Sequence, residues 1–268
     1  MNAGAGTGRQ SLPGDCASAF LLLSRIPVTW HRFKDDQPPD FISSLWAFPI
    51  VGLVIGAAGG GVLAAGQALA LPSFAVAICG LAAMILLSGA MHEDGLADMA
   101  DGFGGGRDTE AKIRIMHDSR IGTYGVLGLV LTVAIRLGLY MTCLDMFSGW
   151  SLVLFIAVIQ AAGRLQPVVQ LSAFRISPHA SLAQLTGRPS ATRLVAAGVI
   201  CLAPMVWLLG PITTASIFIP ALALAVWLGQ LATRQVGGLT GDVMGATVIL
   251  TEIIMLMCWA SVGSMVPA

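Results

Sequence analysis

Charge is scarce in this sequence. Lysine plus arginine number 14 of 268 residues and aspartate plus glutamate 14, so charged side chains make up 10% of the chain against 56% hydrophobic ones. A water-soluble domain carries about 25% charged residues. Too few polar groups are present to clothe a soluble surface, and the mean hydropathy of +0.83 agrees. A formal net charge of zero leaves no basic footprint for a nucleic-acid partner. Cysteine pairing is absent as well: Cys16, Cys79, Cys143, Cys201 and Cys258 are scattered, with no CxxC among them. They read as small apolar packing residues, not as a disulfide framework or a zinc site. The polar, glycine-rich stretch Met1–Gly14 does not resemble a cleavable signal peptide. No internal repeat is visible, which gives an inverted-repeat transporter no support. One membrane domain over residues 1–268 is expected, with no separate soluble one.

What the chain does contain is long apolar runs. A membrane helix needs about 20 apolar residues. Seven stretches qualify: Leu45–Ala68, Ser73–Met91, Thr123–Leu144, Trp150–Leu171, Arg193–Leu209, Ile212–Thr233 and Met244–Val266. An eighth, Ala17–Val28, is too short and contains Arg25, which predicts an interfacial or re-entrant helix. The expected fold is therefore all-α, a polytopic transmembrane bundle of about seven spans plus a short N-terminal interfacial helix. Arg9, Arg25, Arg32 and Lys34 precede the first span. Arg107, Lys112, Arg114 and Arg120 fall in the second loop, Arg175 and Arg188 in the fourth with Arg193 at its far end, and Arg234 in the sixth. The first, third and fifth loops contain no Lys or Arg. Such an asymmetry puts the basic side in the cytoplasm and the C-terminus outside.

The carboxylates are concentrated on that side or within spans, Asp145 alone excepted. The run from Met91 to Gly102 emerges from the second span, and its Asp94, Asp98 and Asp101 recur at i, i+4 and i+7, one face of a helix. Three carboxylates on one face repel unless a cation lies among them. Mg²⁺ suits such a set, because it binds one or two carboxylates, keeps waters and shares substrate phosphates. The alternative is a solvated polar face on a loop helix. That alternative is weakened by Ala97, Met99 and Ala100 at the other positions and by the lack of basic partners in the run. Next come Gly102, Gly104, Gly105 and Gly106, then Arg107. Glycine backbone N–H groups can approach an anion closely and Arg107 can pair with phosphate, although a flexible turn explains the glycines equally well.

Two further patches are polar. Asp118 is positioned to complete a metal site and Arg120 to hold a phosphate bidentately, or the two form an ordinary surface pair. Asp242 follows Gly237-Gly238-Leu239-Thr240-Gly241 at a helix start, where capping is a sufficient structural explanation. Glu252, Arg136 and Arg164 lie within spans, where an ionisable side chain costs about 3 kcal/mol on insertion scales and defaults to a functional interior. Glu252 with Arg164 makes a plausible pair, and Arg136 is expected to snorkel or to be structural. His92-Glu93 begins like HExxH, but Leu96 occupies the second histidine's place, which excludes a zincin. His92 is then a supporting residue or an acid–base group.

Taken together the patches resemble one family, cobalamin synthase, or adenosylcobinamide-GDP ribazoletransferase. His92 through Gly102 is similar to its H-x-D-G-L-A-D-x-x-D-G hallmark, and Asp118-Ser119-Arg120-Ile121-Gly122-Thr123-Tyr124-Gly125 to its D-S-R-I-G-[ST]-[FY]-G block. Gly238-Leu239-Thr240-Gly241-Asp242, Gly245-Ala246 and Glu252 resemble its C-terminal pattern. Ser24-Arg25-Ile26-Pro27-Val28 and Phe48-Pro49-Ile50-Val51-Gly52 resemble its N-terminal blocks, in the same order along nearly the whole chain. Glu93 stands where many members have a hydrophobic residue or Thr, and Ile249 where members often carry a further Glu.

The resemblance implies a Mg²⁺-dependent transfer. A ribose hydroxyl of α-ribazole or its 5′-phosphate attacks the cobinamide-linked phosphate of adenosylcobinamide-GDP, and GMP leaves. It implies metal ligation by Asp94, Asp98, Asp101 and Asp118, with Asp98 or Asp101 as the alternative general base. Phosphate or substrate contacts are implied from Gly104, Gly105, Arg107, Ser119, Arg120, Arg164 and Asp242, with His92, Glu93 and Glu252 in support. The setting implied is the bacterial inner membrane, with the lipid bilayer as surroundings and the site facing the cytoplasm. A homo-oligomer or a complex with other late cobalamin-assembly enzymes is compatible with it. A CDP-alcohol phosphatidyltransferase is the nearest competing enzyme. Asp98-x₂-Asp101-Gly102 begins its pattern, but Gly105-Gly106 stands at its Ala-Arg position and the distal acidic pair is missing. A cation or corrinoid transporter is the non-enzymatic competitor, disfavoured because the carboxylates gather at one face.

Overall fold

The computed structural model describes residues 11–28, 39, 41–180 and 186–263. Arg9, Arg32 and Lys34, used above for orientation, lie outside the described residues, as does the end of the expected seventh span. The elements run α1 (Leu12–Leu23), α2 (Phe41–Ser44), a 3₁₀ turn (Leu45–Ala47), α3 (Phe48–Ala68), α4 (Ser73–Ser88), α5 (Met91–Gly105) and α6 (Thr109–Met116). They continue through α7 (Thr123–Met146), α8 (Gly149–Ala173), α9 (Ala191–Leu209), α10 (Pro211–Val236) and α11 (Gly241–Gly263). The protein is an all-α, multi-pass membrane bundle. Among the described residues six helical stretches are long and apolar enough to cross a bilayer, and a seventh crossing is completed if α4 and α5 are counted as one broken span.

That break is the first departure from the hydropathy reading. The apolar run does not continue to Met91: α4 stops at Ser88, and Gly89 and Ala90 both turn left-handed, with φ of 69° and 57°. The axis bends by 87°. Arg25 fastens the corner from outside, its N–H donating to the Leu87 carbonyl at 2.7 Å and its side chain lying against Gly89. The N-terminal helix is also displaced from its expected position. It starts at Leu12, with Pro13 in the first turn where a missing N–H is harmless, and ends at Leu23. The residue before a proline is biased away from helix, and Ile26 precedes Pro27, so the helix cannot reach Val28.

Helix α8 is the axis of the bundle. In its most apolar stretch 89% of residues are buried, against 17% for α9 and 22% for α7, whose outer faces are left to lipid. Gly52, Gly56 and Gly60 of α3 lie one helical turn apart and rest on the α8 backbone at Gln160–Ala161, Ala157 and Val153. Small residues at that spacing let membrane helices approach closely where no hydrophobic effect drives them together. Trp150 and Trp207 project from the end of the bundle opposite the basic loops, where amphipathic rings sit at a membrane interface.

Candidate active site

Two backbones in contact build the site. A Cβ on Gly95 would lie 2.9 Å from both the Cα and the carbonyl oxygen of Asp242, so only glycine lets α5 lie directly on the first turn of α11. Residues flanking that contact are thereby brought together: Asp94 from α5 and Asp242 from α11 line one cavity. The α10–α11 turn is held by the α8–α9 connection. Ile176 pairs with Leu239, Ser177 N–H donates to the Leu239 carbonyl at 2.9 Å, and Leu239 N–H donates to Arg175 at 2.9 Å. Thr240, next in line, caps α11, its Oγ1 accepting from Val243 N–H at 3.3 Å. The cap expected of Asp242 is thus supplied by Thr240, and Asp242 lines the cavity.

The cavity measures about 200 Å³. His92, Asp94, His117, Thr186, Thr240 and Asp242 supply its polar lining, and Phe48, Leu171 and Val248 are among its apolar lining. Asp98, one turn from Asp94, is within electrostatic range of Asp94, Asp242 and Asp101. Among the described residues no Lys or Arg pairs with Asp94, Asp98 or Asp242. No three His, Cys, Asp or Glu side chains among the described residues close on a common point as a complete metal cage. One or two carboxylates beside an open, solvated cavity nonetheless fit Mg²⁺, which takes the rest of its shell from water and phosphate.

The remaining expected residues are distributed differently. Asp101 is buried, and its two oxygens accept the N–H groups of Gly122 at 2.7 Å and Gly125 at 2.9 Å. It ties the end of α5 to the start of α7, work that sequence spacing assigned to metal binding. Gly102, Gly104 and Gly105 form the last turn of α5 in place of an open loop, so their N–H groups point into the helix and do not cradle an anion. Their value is steric: Met116 lies against Gly102 and the Tyr124 ring against Gly104. Arg107 and Ser119 are exposed.

Asp118 is committed to Arg120. Arg120 donates to it from Nε at 3.1 Å, from Nη2 at 2.9 Å and from its backbone N–H at 3.0 Å. Hydrogen bonds from the Arg120 side chain, then from its backbone, hold the Asp118 carboxyl at about 2. The same bonds raise the Arg120 guanidinium above its ordinary value. Asp118 thus orients an exposed arginine, and it is His117 beside it that lines the cavity, in electrostatic range of Asp242. Sequence reading passed over His117. Its place immediately before the Asp-Ser-Arg block was the only available signal.

Beneath the cavity lies a buried ionic cluster. Glu252 pairs with Arg164, as its intramembrane position suggested, and with Arg136 at 3.6 Å. Arg136 also donates to Glu93 at 2.8 Å. Arg136 and Arg164 are 4% and 3% exposed, so Arg136 does not snorkel and Arg164 does not line the cavity as a phosphate contact would. Two arginines and two glutamates cancel in charge, the arrangement a low-dielectric interior requires. The bend after α4 delivers Glu93 to this depth.

Comparison with known proteins agrees across the chain. The description of the cobalamin-5-phosphate synthase family matches residues 15–260. An adenosylcobinamide-GDP ribazoletransferase from a Sinorhizobium species is 35% identical over 90% of this chain and 94% of its own. Enzymes of the same name from Azorhizobium caulinodans and Bradyrhizobium diazoefficiens are each 36% identical. Both alignments cover 91% of this chain, and 94% and 92% of the respective relatives. No solved structure matches.

Proposed function

The chain belongs to the cobalamin-5-phosphate synthase family, and we propose that it performs the transfer for which its relatives are named. A ribose hydroxyl oxygen of α-ribazole, or of its 5′-phosphate, attacks the cobinamide-linked phosphorus of adenosylcobinamide-GDP. The new P–O bond forms as the bond to the bridging oxygen breaks, and GMP leaves. The hydroxyl proton passes to a base, and adenosylcobalamin or its 5′-phosphate is the product. The observation that carries this reading is the Gly95–Asp242 backbone contact, which sets Asp94 and Asp242 in the lining of one cavity.

Phosphoryl transfer asks for positioning and charge neutralisation more than covalent chemistry. Mg²⁺ held by Asp94 and Asp242, with water and phosphate completing its shell, would supply that neutralisation at the pyrophosphate. Arg120, held in a fixed orientation by Asp118, keeps guanidinium donors free for a phosphate oxygen and clamps the donor, with Arg107 as a second exposed cation. His117, in the cavity lining, accepts the hydroxyl proton. Asp98 is the alternative acceptor. Asp101 keeps the ends of α5 and α7 together. The site is at the end of the bundle that carries the basic loops, hence on the cytoplasmic face of a bacterial inner membrane, where nucleotide-activated substrates are found.

Incubating the purified full chain with adenosylcobinamide-GDP, α-ribazole and Mg²⁺ tests the reading. GMP and the complete corrinoid are the expected products. Release of CMP from a CDP-alcohol instead would assign it to the phosphatidyltransferases, and accumulation of unconverted corrinoid in proteoliposomes would make it a transporter.

A further inference from the structure

A second cavity shares no lining residue with the first and takes no part in the proposed reaction. It is a groove of about 950 Å³ between α9 on one side and α1, α2 and the 3₁₀ turn on the other. Thr192, Arg193, Ala196, Val199 and Ile200 form its α9 wall, the spacing of a single helical face. Arg193 stands in the first turn of α9, at the basic end of the bundle, and Ile200 follows about 10 Å along the axis. Val199 is 59% exposed on a helix whose most apolar stretch is only 17% buried, so this wall faces lipid. Arg193 is half-buried, and its Nη2 donates to the Ser43 hydroxyl at 2.8 Å. Among the described residues no carboxylate pairs with it.

We infer that this groove holds one phospholipid of the surrounding bilayer, its phosphodiester on Arg193 and an acyl chain along Ala196, Val199 and Ile200. The guanidinium fork matches phosphate oxygens, and basic pockets between membrane helices at the cytoplasmic end take lipid head groups. The alternatives satisfy half of the groove each. A soluble phosphate would meet Arg193 and leave the hydrocarbon wall uncovered. A further apolar helix would cover the wall and bury the arginine without a counter-charge. An amphiphile with its charge one to two turns above its hydrocarbon meets both requirements. Asp15 narrows the head group. It also lines the groove, accepting the Trp46 indole N–H at 3.0 Å, and its charge works against a doubly charged phosphate monoester more than against a singly charged phosphodiester. The inference is independent of the transfer proposed above.

The test is lipid binding to the purified full chain in detergent, stripped of phospholipid and titrated with dioleoylphosphatidylglycerol, the adducts counted by native mass spectrometry. Wild type is expected to retain one lipid more tightly than any that follow. Arg193→Gln should weaken that first binding about fivefold, the scale of one basic residue facing an anionic head group. Unchanged affinity in folded Arg193→Gln overturns the inference. If that variant does not fold, Ala196→Phe decides, because it fills the chain wall and leaves the arginine in place: weaker binding supports the inference and equal binding refutes it. Two ligand fragments separate the sources. Dioleoylglycerol lacks the phosphate and glycerol 3-phosphate lacks the chains, and each should bind more weakly than the lipid. Glycerol 3-phosphate binding as tightly as the lipid would make this a site for soluble phosphates, and dioleoylglycerol binding as tightly would remove Arg193 from it. Binding is read without turnover, so a chain that releases no GMP leaves the result intact.

Discussion

Both oxygens of Asp118 are engaged by Arg120, and this pairing governs how the site responds to pH. A carboxyl depressed to about 2 loses its charge only as pH falls through that value. Its pair with Arg120 is therefore intact at every pH where turnover is measurable, and Asp118 contributes no limb to the profile. His117, by contrast, lines the cavity as the proposed proton acceptor. The rate of GMP release and its pH dependence separate the two roles. Asp118→Asn should lower kcat/KM for adenosylcobinamide-GDP on the order of tenfold with the profile's shape preserved, since Arg120 loses its orientation. His117→Gln should lower kcat. A kcat that survives in His117→Gln transfers the role to Asp98.

Helix α5 is the element on which the site turns, and Gly95 is its most constrained residue. A methyl group there meets Asp242 backbone, which unlike a flexible side chain cannot swing aside. Gly95→Ala is expected to cost about 1–3 kcal/mol of stability, as overpacked contacts do. Catalysis should suffer more, because α5 and α11 separate and carry Asp94 away from Asp242. Thermal unfolding in detergent together with GMP release measures both effects, and an active, fully stable variant would contradict the contact's role. Much about α5 was legible in sequence. The i, i+4, i+7 aspartates do lie on a helix, and the long apolar runs do become membrane helices. What escaped was tertiary. Nothing local distinguishes Asp101 from Asp94, yet Asp101 is consumed by N–H groups 21 and 24 residues away. Gly89 and Ala90 are apolar residues in an apolar run, so hydropathy passes through the left-handed corner without registering it. Arg136 could not be paired in advance with Glu93, which lies 43 residues before it on another helix.

At the scale of the whole molecule, a neutral cluster of Glu93, Arg136, Arg164 and Glu252 ties α5, α7, α8 and α11 together inside the bundle. Removing one member leaves a charge buried without its partner, so Arg136→Met should destabilise the protein by about 3–5 kcal/mol. Adding Glu93→Gln to that variant should recover part of the loss, because the pair is then removed together. Simple additivity of the two changes, read from unfolding in detergent, would mean the residues are not coupled. The bundle's orientation is tested in the same protein freed of its native cysteines. A thiol introduced at Ser119 should be labelled from the cytoplasmic side and one at Ser148 from the other, and the reverse pattern would invert the topology. The account as a whole stands on carboxylates from two helices sharing one cation in the cavity. The most direct measurement is the Mg²⁺ dependence of GMP release for wild type and Asp94→Asn. The account predicts that the variant loses most of its turnover and needs at least about tenfold more Mg²⁺ for half-maximal rate, the scale on which loss of a metal-site residue's support is felt. Unchanged turnover with an unchanged Mg²⁺ requirement would contradict it.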